Sequence, residues 1–129
     1  MEIQKQEMVG FRLLKSKGEY MQYRLDKKGN KISQLGYGCM RFSRKGSSID
    51  FDLAKSEIKT AIDNGINYFD TAYVYHGGNS EKMVKEALVK RHPRESFTVA
   101  TKLPAWALKN EDDRDRVFNE QLERTGAEY

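Results

Sequence analysis

A chain of 129 residues, 38% hydrophobic and 33% charged, is long enough for one domain, and its apolar residues are too grouped for a disordered linker. All of its net +4 belongs to residues 1–31, where eight Lys/Arg face four acids; fifteen of each follow, which leaves no basic face for nucleic acid. A lone cysteine, Cys39, excludes an internal disulfide or a cysteine metal cluster, and no apolar run reaches membrane-spanning length or forms a signal sequence, so the expectation is a cytoplasmic protein with neither a nucleic-acid nor a membrane partner.

Residues 1–20 show no clear period, and "KSKGEY" is turn-like; this stretch is expected to be an N-terminal extension, with Met21 as a plausible second start. From Met21 the sequence "MQYRLDKKGNKISQL" predicts a β-hairpin. Met21, Tyr23 and Leu25 alternate with polar residues, Asp26 to Asn30 supply turn chemistry, and Ile32 to Leu35 return. Leu35 to Phe42, "LGYGCMRF", is short, apolar and glycine-rich, and predicts a buried strand that runs into a loop at Gly38–Met40.

In "SSIDFDLAKSEIKTAIDNG", Phe51, Ala54, Ile58, Ala61 and Ile62 fall at helical spacing. Asp50 can cap the start, and Gly65 stands where a left-handed C-cap is wanted. "INYFDTA" from Ile66 predicts a second strand. "SEKMVKEALVK" predicts a second helix, with Ser80 as N-cap, Glu81 placing negative charge at the positive end of the helix, and Met83, Val84, Ala87 and Leu88 as its apolar stripe. Ser96 to Lys102, "SFTVATK", predicts a third strand. "NEDDRDRVFNEQLERTG" predicts a third helix, capped by Asn110 and ended by Gly126.

A hairpin followed by β-α-β-α-β-α is the order of a parallel sheet with crossover helices. The final "AEY" starts what should be another strand, and a (β/α)8 barrel takes about 250 residues. The expected fold is therefore α/β: an N-terminal hairpin plus the first three βα units of a truncated barrel, over residues 21–129.

In such folds the C-terminal strand ends carry the chemistry. Asp70 ends the second strand and Lys102 the third, and the two strands should be neighbours, so this pair can form. Tyr75 lies five residues past Asp70, in the loop above the same strand. An ammonium beside a phenol favours the phenolate, and a carboxylate holds the ammonium in place. A tyrosine so placed can give a proton to a carbonyl oxygen as hydride reaches the carbon. The plainer reading of the same residues is a satisfied ion pair beside a packing tyrosine, and spacing alone leaves both open.

Three segments, "LGYGCMRF", "AIDNGINYFDTAYVYHGGNSE" and "VATKLPAW", resemble the aldo-keto reductase family. The family's "DTAxxY" pattern matches at Asp70 and Tyr75, and its strand-end lysine at Lys102. The resemblance implies a (β/α)8 barrel that uses NADPH or NADH to reduce aldehydes and ketones reversibly to alcohols. In it Tyr75 would be the general acid/base, Lys102 the residue that tunes it, and Asp70 the residue that orients Lys102. Gly38, Cys39 and Met40, with Asp70, would lie on the cofactor side. Trp106 resembles a substrate-pocket aromatic, and His76 either touches substrate or cofactor or is a polar loop residue. The forms "YHGGNSE" and "TKLPAW" resemble a bacterial subgroup whose full-length members carry a C-terminal ferredoxin-like iron–sulfur domain; this chain has no ligands for such a cluster. The family's fourth catalytic residue, a His after the fourth strand, falls beyond Tyr129. The chain is thus expected to be inactive alone or active only in assembly, with a small carbonyl substrate in the parent enzyme. The alternative is a non-catalytic barrel fragment or interaction module that self-associates through its open sheet edge.

Overall fold

The computed structural model describes residues 21–128. The expected N-terminal extension, residues 1–20, lies outside the described residues. The hairpin is formed by β1 (Tyr23–Leu25) and β2 (Lys31–Ser33), antiparallel with Tyr23 opposite Ser33. Its turn is organised by the Asp26 carboxylate, which accepts from the backbone N–H groups of Lys28 and Asn30 at 2.8 Å each; a short acid bonding its own backbone is what makes Asp a turn residue. Hydrogen bonds through Tyr23 and Asn67 fasten the hairpin to the body. The Tyr23 hydroxyl donates to the Gly65 carbonyl at 2.8 Å. The Asn67 side chain accepts from the Ser33 N–H at 2.8 Å and donates to the Lys31 carbonyl at 2.9 Å.

Within Leu35–Phe42, where a buried strand is expected to run into a loop at Gly38–Met40, the strand is brief. β3 is Tyr37–Gly38, and the chain turns at once into a 3₁₀ turn, Cys39–Arg41, while Leu35 stays exposed. Glycine offers a strand no side chain to pack, so the glycine-rich run supports only a brief pairing. A second, unforeseen hairpin follows, β4 (Arg44–Lys45) with β5 (Ser48–Ile49), turning through Gly46 in the left-handed region.

The first helix, α1 (Phe51–Asp63), forms as its pattern predicts. The Asp50 side chain accepts from the Leu53 N–H, Ala54, Ile58 and Ala61 are buried, and Gly65 takes a φ of 93° just past the end. After β6 (Tyr68–Asp70) comes α2 (Asn79–Val84), which continues as a π-helical turn, Lys85–Val89. Here one expectation is corrected: Ser80 is not the N-cap. Gly78 caps the helix, and Ser80 and Glu81 sit inside its first turn, both fully buried. His76, Gly77 and Gly78 all take positive φ, and this run turns the chain so that the two residues face inward. β7 (Thr98–Ala100) leads to α3 (Glu111–Thr125), where the Asn110 side chain accepts from the Asp113 N–H at 2.8 Å and Gly126 ends the helix at φ 67°.

The main sheet has the order β3-β6-β7, both pairs parallel. α1 and α2 lie between the strands in sequence and α3 follows the last, the crossover arrangement that the alternation predicts. Phe69, on the middle strand, is fully buried at the centre of the core with Cys39, Ile58, Val84, Ala87 and Leu88. Its ring lies 5.7 Å from that of Tyr37 and meets Phe97 edge-on at 6.4 Å. Among the described residues no helix is long and apolar enough to cross a membrane.

Removing this ring leaves a cavity that the flanking strands cannot close. Phe69→Ala is expected to destabilise the fold by about 3–5 kcal/mol, read as a lowered midpoint in urea unfolding.

Candidate active site

Strand register alone builds the frame of the site. Tyr37 pairs with Phe69 and Gly38 with Asp70, while Phe69 pairs with Val99 and Asp70 with Ala100. Side chains alternate between faces along a strand, so Phe69 and Asp70 point opposite ways. Phe69 enters the core beneath the helices. Gly38, Asp70 and Ala100 share the other face, and Lys102 follows Ala100 by one further period. The strand ends thus bring a glycine, an acid and a lysine to one side of the sheet.

The Lys102 ammonium donates to Asp70 Oδ2 at 2.6 Å and to the Thr71 carbonyl at 2.9 Å. It also lies 4.9 Å from the centre of the Tyr75 ring. Burial pulls this ammonium toward deprotonation. Hydrogen bonds to the Asp70 carboxylate and the Tyr75 hydroxyl, and their charges, outweigh burial and raise its pKa above the ordinary lysine value. Asp70 and Lys102 therefore pair, as their strand-end positions allow, and Tyr75 lies beside the same ammonium. The Lys102 and Asp70 side chains are 50% and 40% exposed, so the group opens to solvent.

The neighbouring Tyr73 is engaged elsewhere. Its hydroxyl donates to Glu120 Oε2 at 3.0 Å, and the Arg124 guanidinium covers its ring at 4.2 Å. Of the two tyrosines in the loop, Tyr75 is the one whose ring faces the Lys102 ammonium.

The other expected site residues are placed less uniformly. Gly38 is exposed, and a Cβ built there would meet nothing within 4 Å, so the sheet face beside Asp70 is open. Met40 is exposed in the 3₁₀ turn that follows. The Cys39 side chain instead lies in the core, where burial pushes its thiol up to about 12, with Asp70 adding to the rise and Lys102 opposing it. What Cys39 contributes near the site is its carbonyl, which accepts from Ser80 Oγ at 3.0 Å. His76 adopts a φ of 52°, and its Nε2 accepts from the Phe42 N–H at 3.2 Å while its ring lies against that of Phe42. The imidazole thus latches the loop after β6 to the loop after β3. Trp106, in a 3₁₀ turn at Ala105–Ala107, is 82% exposed. Among the described residues no group of three or more His, Cys, Asp or Glu is placed to hold a metal ion.

A second layer lies behind these groups, and only its members' spacing hinted at it. Thr71 and Ser80 share a buried hydroxyl–hydroxyl hydrogen bond at 2.9 Å. The Glu81 carboxylate accepts from Thr101 Oγ1 at 2.6 Å and from Gln121 Nε2 at 3.0 Å, and its second oxygen lies 3.6 Å from Arg124. The available signals were the place of Glu81 three residues ahead of Val84, within the apolar stripe, and the four-residue step of Val117, Gln121 and Thr125 along α3. All three of those α3 residues are buried. Gly78 makes room for this layer: a Cβ there would come within 3.1 Å of an Arg124 guanidinium nitrogen.

The raised Lys102 pKa has a definite sign. It stabilises the fold fully below the ordinary lysine pKa and is lost as pH climbs through the folded-state value; solvent keeps that contribution small. With carbon-13-labelled lysine, NMR titration is expected to place Lys102 above the ordinary lysine range. Asp70→Asn is expected to move that midpoint down, because burial then meets less opposition. An unchanged midpoint would show that the ion pair is not its cause.

The aldo/keto reductase family model matches residues 34–129 of the chain. The chain is 39% identical over 80 residues to "Probable aldo-keto reductase 1" of Glycine max, covering 61% of this chain and 23% of that protein. The holo form of an aldo-keto reductase from Bacillus halodurans superposes with a TM-score of 0.68 at 27% identity, over 85% of this chain and 38% of its own. The Bombyx mori aldo-keto reductase in complex with NADP gives 0.62 at 26% identity, over 84% and 35%. The chain thus spans well under half the length of each of these relatives. Its strand order, its parallel register and the matched segment together place it: the chain belongs to the aldo/keto reductase family.

Proposed function

We propose that this chain carries the proton-handling face of an NAD(P)H-dependent reductase that interconverts small aldehydes or ketones and alcohols. The observation that carries the reading is the Lys102 ammonium, held by Asp70 at 2.6 Å and set 4.9 Å from the Tyr75 ring centre. A carbonyl oxygen lying against the Tyr75 hydroxyl would receive its proton, with the adjacent positive charge stabilising the phenolate left behind. Asp70 and the Thr71 carbonyl keep the ammonium in that position. In the oxidative direction the same phenolate would take the proton back. Tyr75 is then the general acid/base, Lys102 its electrostatic partner and Asp70 the orienting acid.

The residues present fit the nicotinamide end of a dinucleotide. Gly38 leaves an open shelf on the face that carries Asp70, bounded by the exposed Met40. The Bombyx mori relative is in complex with NADP, which supports a nicotinamide cofactor here. Such a cofactor, when bound, supplies the hydride. Gly38, the Cys39 backbone, Met40 and Asp70 would line its reactive end, and His76 and Trp106 would border the substrate side. The cytoplasm is the compartment this reading favours.

A second reading is favoured by the sheet itself. Among the described residues β3 and β7 each pair only with β6, so both edges of the sheet present unpaired backbone groups. Trp106 and Phe118 are exposed apolar surface besides. On this reading the chain is a non-catalytic module that associates with itself or with a complementary piece of barrel.

Two measurements separate the readings. NADPH is expected to quench fluorescence from Trp106, the single tryptophan, and a carbonyl panel is expected to consume NADPH with an assembled species but not with the chain alone. Tyr75→Phe should lower that consumption by about 10²–10⁴-fold and leave quenching unchanged. Solution sizing is expected to give a species larger than one chain if the edges pair. An oligomer blind to NADPH would sink the enzymatic reading for this chain, and a monomer that binds NADPH would sink the module.

A further inference from the structure

Lys102 is aimed by more than its ion pair. Its side chain leaves a segment just past β7, and that segment's backbone must be fixed for Nζ to stay between Asp70 and Tyr75. The Lys102 carbonyl accepts from the Tyr73 N–H at 3.3 Å and from Gln121 Nε2 at 3.0 Å. Gln121 lies in α3 and is 2% exposed. The same nitrogen also faces Glu81 Oε1 at 3.0 Å and Thr101 Oγ1 at 3.2 Å. A carboxylate oxygen can only accept, so Glu81 dictates which end of the Gln121 amide points inward. The residue on each side of the Lys102 peptide link is thereby held: Thr101 through its hydroxyl and Lys102 through its carbonyl. Arg124 completes the frame, reaching the Tyr73 carbonyl at 3.4 Å and Glu81 at 3.6 Å.

We propose that Gln121, its amide oriented by the buried Glu81 carboxylate, is a positioning residue that aims the Lys102 ammonium between Asp70 and Tyr75. It touches none of the reacting groups and acts through the Lys102 backbone. As a contribution to carbonyl reduction this role rests on the proposed function above. As a statement of what places the ammonium, it does not.

Gln121→Met keeps the length of the side chain and removes both amide donors. In the full chain with carbon-13-labelled lysine, the expected result is a downward shift of the Lys102 titration midpoint while the other resolved lysines keep theirs. Where carbonyl reduction is measurable, kcat should fall about tenfold to a hundredfold with KM little changed, the signature of a misplaced group. Should Gln121→Met fail to fold, Gln121→Asn retains the amide and withdraws it by one methylene, and a smaller shift of the same sign is expected. A folded variant of either kind whose Lys102 midpoint does not move overturns the positioning role. A shifted midpoint in a chain that reduces no carbonyl supports the positioning and counts against the proposed reaction, so the two failures are distinguishable.

Discussion

Glu81 takes a carboxylate where water does not follow, and the partners it demands come from two separate segments outside its own helix. Thr101 approaches from the exit of β7, and Gln121 and Arg124 from α3, while Glu81 itself belongs to the first turn of α2. A buried charge left without donors is costly, and removing one partner of such a group costs more than the bond's own net contribution. The chain therefore has few ways to arrange these elements that give Glu81 Oε1 its two donors and set Arg124 beside Oε2. The left-handed run at His76–Gly78 and the absence of a side chain at Gly78 both serve that one requirement.

Much of the architecture was legible because it depends on local chemistry. Asp50 and Asn110 are short acceptors placed before helical periodicity, and each caps its helix as the pattern requires. Gly65 and Gly126 mark helix ends because only glycine takes positive φ there without strain. The parallel order followed from the alternation of strand and helix. The meeting of Asp70 with Lys102 was legible for a related reason: positions at and just past strand ends follow register, and register follows from which residues must be buried.

What was hidden depends on contacts between distant segments. Ser80 looks like an N-cap in sequence, since a serine before an apolar stripe ordinarily is one. Its hydroxyl is instead drawn inward to the Cys39 carbonyl and Thr71, partners forty-one and nine residues away. Gln121 reads as a polar residue in a highly charged helix, and nothing local reveals its partners in α2 and β7. The hairpin at β4 and β5 was missed because each strand has two residues, too few to show a period. Cys39 had the residue type of a pocket liner, but the turn after β3 points its thiol into the core and leaves the site a carbonyl and a neighbouring methionine.

The two layers divide the labour according to exposure. Asp70 and Lys102 are each about half open to solvent, and exposed ion pairs hold little free energy of their own. A pair that weak does not fix its own geometry to a fraction of an ångström. The layer behind it can. Its donors and acceptors are shielded, each has few alternatives, and breaking any one strands a polar group away from water. The order in which the parts depend on one another thus runs from the inside outward: Glu81 sets Gln121, Gln121 holds the Lys102 carbonyl, and the held backbone leaves the ammonium little choice but Asp70, the Thr71 carbonyl and the face of Tyr75. On this account Asp70 and Lys102 can stay open to solvent because their geometry is set by buried residues behind them.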